Sequence, residues 1–120
     1  MRKEVIQMPY VGELSVNHRL GKRKGGGFYL KQEVKDWNEE FGWLLKRLHL
    51  EDWKLPLSVT CGGVFKDERS APDIHNLSKI LDVIEEVTGI NDKFMEWHDG
   101  NRVINPKETP YLHIVIGEGK

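Results

Sequence analysis

Asp73, His75, Asn76 and Lys79 fall within one stretch of seven residues, and Asp92 follows about one helix later. An acid, an imidazole, an amide and an ammonium at this spacing are suited to holding a divalent metal beside a phosphate. Carboxylates are natural ligands of Mg²⁺, which keeps several waters and so needs few of them. Such a metal neutralises a phosphodiester and lowers the pKa of an attacking water. Lys79 is placed to stabilise charge on a pentacovalent phosphorane. Each residue also has a plainer explanation. Asp73 follows Pro72 and precedes an apolar-periodic run, the place of a helix N-cap worth about 1 kcal/mol. A lone exposed His or Lys in a first helical turn usually does nothing, so the combination carries the chemistry.

The elements that must hold these groups read as follows. Glu4 to Met8 is a strand ending at Pro9. Tyr10 to Gly27 is a loop with little periodicity, carrying Ser15, Asn17, His18 and Arg19, then Lys22, Arg23 and Lys24, then three glycines. A loop of that length is usually functional or disordered. Its cations suit a phosphate backbone, and a solvated loop without a partner explains them equally well. Leu30 to Leu48 is a helix whose Val34, Trp37, Phe41, Leu44, Leu45 and Leu48 recur at spacings of three and four. That stripe packs on a sheet, with Trp43 falling off it. Leu55 to Phe65 alternates as a central strand, where Gly62 and Gly63 mark a bulge or a close backbone approach. A second helix starts at Pro72, puts Leu77, Ile80, Leu81, Ile84 and Val87 on one face, and ends at Gly89 as its C-cap. Within it, Asn76 and Lys79 are three apart and His75 and Lys79 four apart, so they share a side. The N–H groups and positive dipole end of that first turn would attract a phosphate. Phe94 to His98 is a strand, Asp99-Gly100-Asn101 its turn and Arg102 to Ile104 the return. Tyr111 to Ile116 closes the chain as the last strand. The order β-α-β-α-β-β predicts an α+β domain, with a mixed sheet of about four strands and two helices on one face.

With 120 residues, 38% hydrophobic and 31% charged, the chain has the size and balance of one soluble globular domain spanning residues 1–120. No apolar run suits a membrane span, and Met1 to Ile6 is too poor in apolar residues for a signal peptide, so a cytoplasmic location is expected. Cys61 is the only cysteine, which rules out an internal disulfide and a Cys-based zinc site. The net charge of −1 conceals a division. Residues 1–49 carry ten Lys and Arg against six Asp and Glu, and residues 50–120 carry eight against thirteen. A basic half for a polyanion and an acidic half for a cation would look like this, as would chance segregation of solvated charge.

Pro72-Asp73-Ile74-His75-Asn76-Leu77-Ser78-Lys79, followed by Gly89-Ile90-Asn91-Asp92, resembles the signature of the RusA family of Holliday junction resolvases. That signature runs roughly D-x-D-N-x-x-K, with an acid pair after the helix. The resemblance extends over most of the chain, including the Ser15, Asn17, His18 and Arg19 loop. It implies a small homodimeric, Mg²⁺-dependent endonuclease that nicks opposing strands of a four-way DNA junction. Asp73 and Asp92 would be metal ligands, Lys79 the lysine at the phosphate and Asn76 the motif asparagine. The loop cations, with Asn17 and His18, would contact DNA. Two positions depart from the pattern: His75 stands in place of a second aspartate, and Asn91 in place of the first paired acid. His75 would then ligate the metal or orient water, and a nitrogen ligand favours Mn²⁺.

Other nuclease and hydrolase patterns fit less well. No acidic-x-Lys triplet follows Asp73 as in PD-(D/E)-x-K nucleases, and no nucleophile elbow is present. The His75-Asn76 pair opens a helix, where an HNH nuclease would need a hairpin. The competing expectation from a different class is a RusA-like module that binds branched or single-stranded DNA without cutting it.

Overall fold

The computed structural model describes residues 1–15 and 19–119. Its main sheet holds β1 (Lys3–Pro9), β4 (Leu57–Phe65), β5 (Met95–Ile104) and β6 (Tyr111–Gly117), in the order β1-β6-β4-β5. β6 runs antiparallel to β1 and β4, while β4 and β5 are parallel. The helices are α1 (Gln32–Lys46) and α2 (Ile80–Thr88). This is the expected α+β class, with a mixed sheet and two helices.

Strand alternation sets which face is covered. Ile6 and Met8 of β1, Leu112, Ile114 and Ile116 of β6, and Leu57, Val59, Cys61 and Phe65 of β4 are all buried. Register aligns them, with Ile6 opposite Ile114 and Cys61 opposite the same residue from the other side. They join Val34, Trp37, Phe41 and Leu45 of α1 and Ile80, Val83 and Ile84 of α2 in a single core. A period of two on the strands meets a period of 3.6 on the helices, as in any sheet covered on one face. The Trp37 indole N–H also donates to the Pro9 carbonyl at 2.7 Å, tying α1 to the end of β1. Trp43 is 62% exposed, and the Lys46 ammonium lies 5.0 Å from its ring centre.

Three expectations need correction. The long loop contains a hairpin of β2 (Leu20–Lys22) and β3 (Phe28–Leu30), a sheet of its own. Three-residue strands around a glycine turn are too short to show a period. The expected turn at Asp99-Gly100-Asn101 is instead the middle of a continuous β5. β4 steps from Cys61 to Gly63 while its partner steps from Asp99 to Arg102, which is a bulge with one extra residue in β5. A Cβ on Gly62 would stand 2.8 Å from the Asn101 carbonyl oxygen, and one on Gly100 would stand 3.0 Å from that of Cys61. The turn-forming residues thus serve a close backbone approach between neighbouring strands. The third concerns the motif helix, which is a 3₁₀ turn at Ile74–Leu77 and an α-helix only from Ile80.

Candidate active site

Residues Ile74–Leu77 form a 3₁₀ turn, and α2 begins only at Ile80. The buried positions explain this winding: Ile74, Leu77, Ile80 and Val83 recur every three residues, the repeat of a 3₁₀ helix. Asp73, Asn76, Lys79 and Asp82 form a parallel polar row at the same spacing. His75 falls about a third of a turn from that row at three residues per turn. The expected common side of His75 and Lys79 therefore does not form. The N-cap of α2 is Lys79, so Asp73 precedes that end of the helix by six residues.

Asp73 makes no side-chain capping hydrogen bond, although it stands at the N-cap of the 3₁₀ turn. Its backbone carbonyl accepts from the Asn76 N–H at 2.9 Å. The simple cap explanation for this carboxylate thus fails, and Asp73 and His75 are both exposed. Lys79 and Asp82 form an ion pair at 3.5 Å, each about half exposed. Such surface pairs contribute less than about 1 kcal/mol, so an incoming phosphate readily competes for the ammonium.

Gly89 ends α2 with φ of 78°, the left-handed cap expected of it. The Asn91 side chain accepts from the Lys93 N–H at 3.0 Å and so organises the short turn Asp92–Phe94. Asn91 therefore has a structural role at the position where the signature has an acid. The Asp92 N–H donates to Glu85 Oε1 at 3.2 Å, which anchors this turn to α2 and leaves the Asp92 side chain exposed.

Asp73 and Asp92 belong to opposite ends of the β4-β5 pair. Asp92 leads into Met95, which is opposite Leu57 at the start of β4. Asp73 follows Pro72, whose carbonyl is bound by Arg102, opposite Gly63 near the end of β4. The strand between Met95 and Arg102 spans roughly 20 Å. Consistent with this, no group of three or more His, Cys, Asp or Glu side chains that could hold a metal occurs among the described residues. The donors suit a hard divalent cation in type, and among the described residues no three of them gather into one centre.

Arg102 is the residue that sequence reasoning missed. Its guanidinium donates to the Glu68 and Ala71 carbonyls, each at 3.3 Å, and pairs with the Glu68 carboxylate at 2.8 Å. Asp67 braces the same connection by accepting from the Ser70 N–H at 2.7 Å, and this hydrogen bond holds its carboxyl below the usual carboxylate range. The one local signal was a lone Arg beside a Gly-Asn pair, which reads as a turn.

The expected DNA contacts divide. Asn17 and His18 lie outside the described residues. Lys22, Arg23 and Lys24 are exposed on the β2-β3 hairpin, and Arg19 at its base is half-buried. Asn76 is half-buried beside Lys79. The Arg19 N–H donates to the Ser15 carbonyl, and the Lys31 N–H donates to the Arg19 carbonyl, so the base of the arm is held by backbone bonds. No helix among the described residues is long and apolar enough to cross a membrane.

Comparison with curated proteins gives no match. Among solved structures the chain is similar to IspF of Plasmodium falciparum in its CDP complex, at 11% identity and a TM-score of 0.35, with 72% of this chain and 56% of that chain covered. The chain thus spans little more than half the length of that protein, and a likeness so low carries no argument. Residues 9–114, which include every motif position from Asp73 to Asp92, match the family described as endodeoxyribonuclease RusA, and the chain belongs to that family.

Proposed function

We propose that this chain is a divalent-metal-dependent endodeoxyribonuclease that resolves four-way DNA junctions by paired nicks, acting as a homodimer. The family supports a junction-resolving endodeoxyribonuclease at the coarse level. The observation that carries the finer reading is the position of Asp73 and Asp92, both exposed and at opposite ends of β4-β5. Among the described residues, neither end gathers three such donors. A two-fold axis that sets one end of a subunit against the other end of its partner would unite Asp73 of one copy with Asp92 of the next, twice over. Two centres related by a two-fold also match the two opposing strands of a four-way junction.

A bound Mg²⁺ would offset phosphate charge and lower the pKa of the attacking water, with Mn²⁺ favoured if His75 contributes a nitrogen. Asp73 and Asp92 would hold it. Lys79, released from Asp82, would contact a non-bridging phosphate oxygen as negative charge grows there. The Asn76 amide would donate to the same phosphate and fix its orientation. The water oxygen would bond to phosphorus as one ester P–O bond breaks, the proton it gives up passing through solvent to the departing oxygen, and the basic hairpin would hold the flanking backbone.

Mixed dimers provide the test. Asp73→Asn and Asp92→Asn proteins are each expected to bind a synthetic four-way junction without nicking it in Mg²⁺ or Mn²⁺. Mixing them restores nicking only if each centre draws one acid from each copy, because one of the two centres is then intact. Centres contained within one subunit would remain dead. The incomplete ligand set of the single chain favours a second reading, a DNA-binding module without cleavage. Wild-type protein that binds the junction and never nicks it under either metal establishes that reading.

A further inference from the structure

We propose that Phe28 stacks on a base exposed at the branch point of the DNA and so selects branched over linear duplex, an inference that rests on DNA being the substrate. Register in the hairpin sets Leu20 opposite Leu30, Gly21 opposite Tyr29 and Lys22 opposite Phe28. Alternation therefore gathers Leu20, Lys22, Phe28 and Leu30 on one face and leaves Tyr29 on the other. Tyr29 lies across Gly21, where a Cβ would collide with the phenol ring. Leu30 packs against the core. Phe28 has neither kind of packing, being 65% exposed, and Leu20 beside it is 51% exposed.

Leu30 sits at the base of this face, whereas Lys22 and Phe28 flank the turn at the far end of the hairpin. The Arg23 N–H donates to the Gly27 carbonyl at 3.0 Å, and Gly25, Gly26 and Gly27 all have positive φ. A Cβ on any of these three would meet nothing within 4 Å, so the tip stands clear of other elements. From Arg19 to Lys31 the chain has five cations and no acid. Among the described residues, none of those cations has an ion-pair partner.

Cations around a glycine turn bind any nucleic acid backbone. An exposed aromatic ring within that cluster adds a partner that must offer a flat apolar face, which is the combination by which proteins hold unstacked bases. In linear duplex those faces are covered by neighbouring base pairs, whereas a branch point interrupts the stack. Lys22 beside Phe28 places a cation next to the phosphate of the base that the ring would cover.

Fluorescence anisotropy with a four-way junction and a linear duplex of the same arm sequence tests this. Phe28→Ala is expected to weaken junction binding about tenfold while leaving duplex binding unchanged. Phe28→Trp is expected to retain junction binding. A triple Lys22→Gln, Arg23→Gln, Lys24→Gln variant is expected to lose affinity for both DNAs alike. Equal loss on both DNAs with Phe28→Ala, or loss on neither, overturns the inference and leaves the nuclease reading standing. Sedimentation showing that Phe28→Ala alone dissociates a dimer assigns the ring to a second copy of the chain and likewise overturns it. Wild-type protein that binds neither DNA overturns both the inference and the reading beneath it.

Discussion

Arg102 Nε donates to the Pro72 carbonyl at 3.1 Å, at the peptide that joins Pro72 to Asp73. Its two other guanidinium nitrogens take the Glu68 carboxylate and the Glu68 and Ala71 carbonyls. One planar fork therefore secures three backbone positions of an otherwise exposed connection. The extra residue of the β5 bulge sets Arg102 in register with Gly63, on the strand beside the connection it binds. An element thirty residues downstream thus holds the backbone that delivers the motif acid.

Arg102→Met should remove this anchor and leave the core intact. Hydrogen bonds from a charged group contribute about 1.5–3 kcal/mol each when desolvated. With the Arg102 side chain 32% exposed, a net loss of about 1–2 kcal/mol is expected. Amide hydrogen exchange should rise at residues 68–76 and stay unchanged in β6. Nicking should fall more than junction affinity, because Asp73 is loosened and the basic hairpin is untouched. Arg102→Lys should recover charge without the fork and restore less than half of the lost rate. Unchanged exchange at residues 68–76 would remove Arg102 from any positioning role.

Lys79 should matter to rate more than to stability. Its pairing with Asp82 is a surface contact at 3.5 Å, so Lys79→Ala should shift unfolding by less than about 1 kcal/mol. Loss of a cation acting on transition-state charge typically costs about 10²–10³ in rate. Asp82→Asn releases the ammonium and should leave nicking equal or faster. Single-turnover assays on a junction separate these effects from binding, and a Lys79→Ala protein that nicks at the wild-type rate would exclude the assigned contact.

Acid should weaken the closure between the two chain ends. Glu118 accepts from the Arg2 N–H at 2.9 Å and the Lys54 N–H at 3.1 Å, and from the Arg2 guanidinium. Those backbone hydrogen bonds, Arg2 first, hold its carboxyl below the usual glutamate value. A carboxyl whose folded pKa is depressed adds stability above its unfolded value of about 4.3. That stability disappears as pH falls from there through the folded pKa. Melting temperature followed from pH 6 to pH 2.5 should therefore fall less steeply for Glu118→Gln than for the wild type. Parallel curves would show that the carboxylate is not linked to folding.

Much of this protein is legible along the chain because it depends on neighbours in sequence. The alternation of Tyr111 to Ile116, the stripe of Val34, Trp37, Phe41 and Leu45, the cap at Gly89 and the motif from Asp73 to Lys79 all follow from local period and local conformation. Their chemistry, acids with an ammonium and an amide near a basic arm, is a property of residue type and short spacing. Tertiary structure decided the rest. Asp99-Gly100-Asn101 has turn chemistry, and parallel pairing with β4 drew it into a strand as a bulge. Burial at every third residue wound Ile74–Leu77 into a 3₁₀ turn, which moved His75 off the row of Asp73, Asn76 and Lys79. The crossover through α2, which parallel pairing of β4 and β5 requires, sent Asp73 and Asp92 to opposite ends of those two strands. Residue type can nominate the ligands, but the distance between them is set by strand direction and pairing, which act over separations that no local pattern records.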